Sequence, residues 1–69
     1  MAQKHSLTNR EIQILELLSQ GLSSAEIAQQ LFISPNTVEF HRKQLLRKTD
    51  SRNVAHLIGN AFRNKLLTL

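Results

Sequence analysis

Cysteine, tryptophan and tyrosine are missing from this chain, proline occurs once and glycine twice. Without cysteine, neither a disulfide nor a thiolate metal site can stabilise the fold. So few glycines leave no phosphate-cradling loop, and no low-complexity tract is present. No run approaches the roughly 20 apolar residues that cross a bilayer. No charged start followed by an apolar stretch reads as a signal peptide. The expectation is a cytoplasmic protein with no membrane partner. Acidic residues are also scarce: five stand against nine lysines and arginines, a formal net charge of +4. A small domain with that balance attracts polyanions such as nucleic acid.

A chain of 69 residues is one domain at most, here 1–69 with a polar, flexible lead-in at 1–6. It buries only about 60% of its unfolded surface, which leaves little room for a deep catalytic cleft. His5, His41 and His56 lack the spacing of a tetrahedral metal set. Capping accounts for Ser23 and Ser24 without any nucleophilic role. No enzyme activity, metal or cofactor is expected.

What the chain does have is helix punctuation. Thr8-Asn9-Arg10-Glu11 and Ser23-Ser24-Ala25-Glu26 each match a capping box, with a hydroxyl and a carboxylate three residues apart serving each other's backbone amides. The first opens a helix over 9–20 bearing Ile12, Ile14, Leu15, Leu17 and Leu18. Gly21 follows in the left-handed stop position, with Leu22 placed to fold back. The second opens a short helix over 24–31 with Ile27, Ala28 and Leu31 on one face. The apolar pair Phe32-Ile33 after it is expected to be buried in the turn. Ser34-Pro35 opens a third helix over 35–48, serine as cap and proline at the first helical position. Its apolar stripe is narrow, so much of it must face solvent or a ligand. Asn53 or Ser51 caps a fourth helix over 54–66. The expected fold is an all-α four-helix bundle containing a helix-turn-helix.

Five of the nine cations, Arg42, Lys43, Arg47, Lys48 and Arg52, fall within eleven residues on or just beyond the third helix. A charge run is usually only a solvated face. Here the cap, the tight turn and the flanking helices agree with a helix built to fill a major groove about 12 Å wide.

Three blocks of sequence carry a resemblance. They are Leu7-Thr8-Asn9-Arg10-Glu11, Gly21-Leu22-Ser23-Ser24-Ala25-Glu26-Ile27-Ala28, and Leu31-Phe32-Ile33-Ser34-Pro35-Asn36-Thr37-Val38-Glu39-Phe40-His41-Arg42-Lys43. Together they resemble the LuxR-type (GerE-like) DNA-binding domain over nearly the whole chain. The resemblance implies a four-helix bundle whose third helix reads the major groove and whose fourth mediates dimerisation. It also implies a transcription regulator, or the C-terminal output domain of a response regulator, with double-stranded DNA as partner and RNA polymerase as a further one. A sigma-factor region shares the Leu-x-x-Arg-Glu start, but Phe40-His41-Arg42-Lys43 matches the LuxR type. A protein-interaction module that kept the fold is the remaining alternative.

Carried over residue by residue, Thr37 and His41 match the family's Thr-Val-x-x-His, with Thr37 as a phosphate contact and His41 at the backbone or against the first helix. Lys43 matches a base- or phosphate-contact position. Asn36, Glu39, Phe40 and Lys43 are the base-contact candidates, with Phe40 placed to meet a thymine methyl and Glu39 a cytosine amino group. Ser24, Ser34, Thr37, His41, Arg42, Arg47 and Lys48 are the DNA-backbone candidates. The chain departs from the family at Glu39 and Ala25, both commonly Lys, and at Thr49-Asp50-Ser51, where Leu-Gly-Val is usual. Asp50 can still take the left-handed conformation that glycine normally supplies.

On a helical wheel, Val54, Ala55, Leu57, Ile58, Ala61, Phe62 and Leu66 cover roughly 180°, against about 100° for a helix packed on one side. Either a homodimer forms through Val54, Leu57, Ile58, Ala61 and Phe62, or the segment Leu66-Leu67-Thr68-Leu69 folds back over this stripe.

Overall fold

The computed structural model describes residues 7–67. The lead-in at 1–6 and the last two residues of the C-terminal segment lie outside the described residues. Four helices follow in order: α1 (Asn9–Ser19), α2 (Ser24–Leu31), α3 (Pro35–Lys48) and α4 (Val54–Arg63). The starts, and the whole of α2 and α3, fall where the caps place them. Thr8 Oγ1 accepts from the Glu11 amide at 3.0 Å and Glu11 Oε1 accepts from the Thr8 amide at 2.8 Å. Ser23 and Glu26 repeat the pattern, at 3.2 and 2.8 Å. The Ser23 amide and hydroxyl hold the Glu26 carboxyl below the ordinary glutamate range. Ser34 caps α3 by accepting from Thr37 N–H, and Asn53, not Ser51, caps α4 by accepting from His56 N–H.

All four helices stop in one way. Gly21, Phe32, Asp50 and Lys65 are the four described residues with positive φ, and each sits just past a helix. After each, an amide reaches back five residues to a helix carbonyl: Leu22 to Leu17, Ile33 to Ala28, Ser51 to Leu46 and Leu66 to Ala61. This left-handed stop satisfies carbonyls that the helix end would otherwise orphan. The left-handed residue projects outward while the residue after it folds inward. That geometry corrects the expectation that Phe32 and Ile33 are both buried: Ile33 packs against the core, whereas Phe32 is 94% exposed. The same stop at Lys65 shortens α4 to Arg63, three residues before its apolar periodicity runs out, and turns Leu66 and Leu67 into the core.

Ile14 and Leu15 of α1, Ile27 of α2, Val38 and Leu45 of α3, and Leu57 and Ala61 of α4 are completely buried in one core. The third helix packs most extensively, against both α1 and α2, and α4 closes the other side against α1 and α3. In three of the four stops the inward residue is apolar. The exception is Ser51, and hydrogen bonds replace its missing apolar contact. Thr49 Oγ1, buried, donates to the Leu45 carbonyl at 2.7 Å and shares a 2.6 Å bond with Ser51 Oγ. Asn60 Nδ2 of α4 donates to Ser51 Oγ at 3.0 Å, and Arg63 donates to Asn60 Oδ1. A buried polar group is tolerated when its partners are in place. Thr49 and Ser51 at the α3–α4 turn therefore arrive with a matching asparagine on α4.

Candidate nucleic-acid interface

Because α3 is a regular helix with 3.6 residues per turn, its faces follow from the sequence. Val38 and Leu45 lie on one side and are completely buried. Asn36, Phe40, Lys43 and Arg47 lie on the opposite side, within an arc of about 60°, and all four are exposed. Three polar or cationic groups and one phenyl ring thus form a single outward row about 16 Å long, at 1.5 Å of rise per residue. Phe40 keeps 58% of its surface exposed, and its ring meets that of His41 edge-on, centroids 5.6 Å apart at 70°. Arg47 donates to Gln44 along the same helix.

Glu39 flanks this row. Its Oε2 lies 3.5 Å from Arg42 Nη1, one turn on, in an ion pair whose side chains are 43% and 37% exposed. A pair this wet contributes little to stability. It does cancel the negative charge that Glu39 would otherwise present beside the cations. At the N-terminus of α3, Ser34 and Thr37 are both exposed, and their hydroxyls share a 2.9 Å hydrogen bond. This helix start carries no acidic residue in its first turn, so its positive dipole end is open to an anion.

Four expected backbone contacts, Lys48, Ser24, His41 and Arg42, are only half-exposed. Lys48 is on the flank of α3 that meets α1, and its Nζ donates to Glu11 Oε1 at 2.8 Å. Burial alone pushes the Glu11 carboxyl up. The Lys48 ammonium and the Thr8 amide outweigh it, and the pKa falls below the ordinary glutamate value. The pair clamps the last turn of α3 to the first turn of α1. Capping accounts for Glu11 in the sequence, but not for its second partner 37 residues away. No local signal in the sequence pairs it with a lysine in the last turn of α3. Ser24 is half-buried, and its hydroxyl oxygen is shielded without a hydrogen-bond partner. It does not present that oxygen to a ligand at the surface. His41 and Arg42 are half-buried on the two sides of α3, not on its outer row.

The expected dimer residues divide as well. Leu57 and Ala61 are completely buried in the chain's own core, so they offer no surface to a second copy. Val54 and Ile58 are partly exposed and Phe62 is 36% exposed. Leu66 and Leu67 turn back against the core after α4. They account for part of the apolar breadth of the fourth helix.

A positively charged, exposed helix held against two others has the dimensions to enter a major groove. Residues 5–61 match the family described as bacterial regulatory proteins, luxR family. Among curated relatives, the virulence-factor transcription regulator BvgA of Bordetella pertussis is 42% identical over 60 residues, which is 87% of this chain and 29% of that protein. The oxygen regulatory protein NreC of Staphylococcus carnosus is 38% identical over 61 residues, 88% of this chain and 28% of that protein. Among solved structures, the response regulator ChrA of a heme-sensing two-component system superposes with a TM-score of 0.85 at 39% identity, over 88% of this chain and 30% of that one. The chain therefore spans less than a third of the length of the relatives it matches. It belongs to the LuxR family of bacterial regulatory proteins, as a helix-turn-helix DNA-binding domain of that family.

Proposed function

We propose that this chain binds double-stranded DNA sequence-specifically in the cytoplasm, as the DNA-reading part of a transcription regulator built like the longer response regulators it matches. The observation that carries this reading is the outward row of α3, opposite a fully buried stripe on the same helix. In the groove, Asn36 and Lys43 offer the side chains that pair with adenine and guanine edges, and Glu39 can accept from cytosine once Arg42 moves to a phosphate. Ser34, Thr37 and the start of α3 meet one strand's phosphates, with Arg42 and Arg47 as further backbone contacts. Lys48 takes part only through its clamp on α1. Dimerisation, where it occurs, runs through the exposed edge of α4 at Val54, Ile58 and Phe62, and sets two half-sites about 10 bp apart.

A gel shift with a random duplex pool tests this. Retention that falls with salt at a slope near −0.9 per contacted phosphate, and selection of a defined sequence, are the expected results. Glu39→Ala and Lys43→Ala should each change the selected sequence. If both variants match the wild type in affinity and preference, α3 is not the reading helix. Self-association without DNA retention would instead assign the fold to protein interaction.

A further inference from the structure

We infer that Phe40 makes this domain a reader of the 5-methyl group of a pyrimidine, so that 5-methylcytosine can take the place of thymine at one step of its site. The inference rests on the DNA-binding reading above and extends it to a form of regulation. Phe40 is the one apolar side chain in the outward row of α3, flanked by Asn36 one turn before and Lys43 one turn after. The core makes little use of it: the residue is 58% exposed, while Val38 and Leu45 on the opposite side fill the interior. The ring meets that of His41 edge-on.

The floor of the major groove offers such a ring few choices. The base edges there carry hydrogen-bond donors and acceptors, with a single apolar group, the methyl at C5 of thymine. Set against a donor or acceptor, a phenyl ring strips it of water and returns no hydrogen bond, which is unfavourable. Set against the methyl, both surfaces leave water together. Uracil and unmodified cytosine carry only hydrogen at C5 and leave a gap. 5-Methylcytosine restores the methyl at the same ring position and differs from thymine in the exocyclic group beside it. Asn36 and Lys43 fix which step Phe40 faces, because one helix turn on either side they are engaged with polar edges.

The test uses the 69-residue chain and the duplex it selects from a random pool. Each thymine is replaced in turn by uracil, which removes one methyl and nothing else. At one step per half-site the wild type should lose about three- to fivefold in affinity, the worth of one buried CH2 group. Phe40→Ala should be indifferent to uracil at that step, and Phe40→Leu should retain part of the response. Since Phe40 lies outside the core, both variants should unfold at the wild-type temperature. Placing cytosine at that step should weaken wild-type binding, and 5-methylcytosine should recover about three- to fivefold of it. Sequence-specific binding with no uracil-sensitive step, or the same uracil response in Phe40→Ala as in wild type, overturns this inference and leaves DNA reading intact. Failure to retain any duplex overturns both.

Discussion

The third and fourth helices both carry more than the monomer's core requires, and they carry it in opposite currencies. On α3 the surplus is polar and cationic: Asn36, Lys43 and Arg47 stand outward with a lone phenyl ring among them. On α4 the surplus is apolar, but much of it is absorbed by the chain itself. Leu57 and Ala61 vanish into the core, and the left-handed stop at Lys65 folds Leu66 and Leu67 inward. What is left at least partly exposed on α4 is an edge of Val54, Ala55, Ile58 and Phe62. An unmatched polar row therefore points to a ligand more directly than a broad apolar stripe points to a partner. Apolar surface has a default destination in the monomer's own interior, and a row of cations does not.

The largest effect is expected from Leu57→Ala, which removes a completely buried side chain and should destabilise the chain by about 2–5 kcal/mol. Urea unfolding should show this loss equally at low and high protein concentration. A loss that grows with concentration would return Leu57 to the dimer interface. Phe62→Ser, on the exposed edge, should shift unfolding by no more than about 0.5 kcal/mol and weaken only self-association.

Next in size is Glu11→Gln. It removes the anion that clamps Lys48 and should cost roughly 1–2 kcal/mol at neutral pH, less than a fully buried pair because Lys48 keeps 31% exposure. The carboxyl is held below its ordinary pKa in the folded chain. Its stabilisation is thus complete above the ordinary glutamate range and fades as pH falls through and below it. Thermal unfolding from pH 6 to pH 3 should fall less steeply in Glu11→Gln than in the wild type.

A smaller change separates phosphate contact from base contact within the outer row. Arg47→Ala should leave the preferred sequence unaltered and reduce the salt slope of DNA binding by about 0.9, one phosphate contact. The smallest effect, and the only stabilising one, is expected from Phe32→Asn. Asparagine accepts the left-handed conformation that Phe32 holds at φ 58° more readily than a bulky side chain does. With the residue 94% exposed, little packing is lost, and the melting temperature should rise by a few degrees or less, a gain of up to about 0.5 kcal/mol.

Much of this fold was legible because its signals are local. A hydroxyl and a carboxylate three residues apart mark α1 and α2, and Ser34-Pro35 marks α3, without reference to the rest of the chain. The left-handed stops at Gly21 and Asp50 were readable for the same reason. Phe32 was misjudged because hydrophobicity argues for burial, while the backbone handedness that turns it outward leaves no mark in a phenylalanine. The end of α4 was overrun because Leu66 keeps the helical period after Lys65 has already reversed the chain. The Lys48–Glu11 clamp was hidden by distance: each residue had a sufficient local explanation, one as a cation near DNA and the other as a cap. The Ser51–Asn60 bond was concealed likewise, since only the packed turn brings the two together.

The decisive placement is that of Asn36, Phe40 and Lys43 against the bases, with Arg47 of the same row on a phosphate. It is tested most directly by titrating the isotope-labelled chain with its selected duplex and following each residue by NMR. The signals of those four residues, with Ser34 and Thr37, should shift together and saturate at one stoichiometry, while Leu57 and Ala61 stay in place. Shifts centred on α4 with the α3 row unmoved would contradict it.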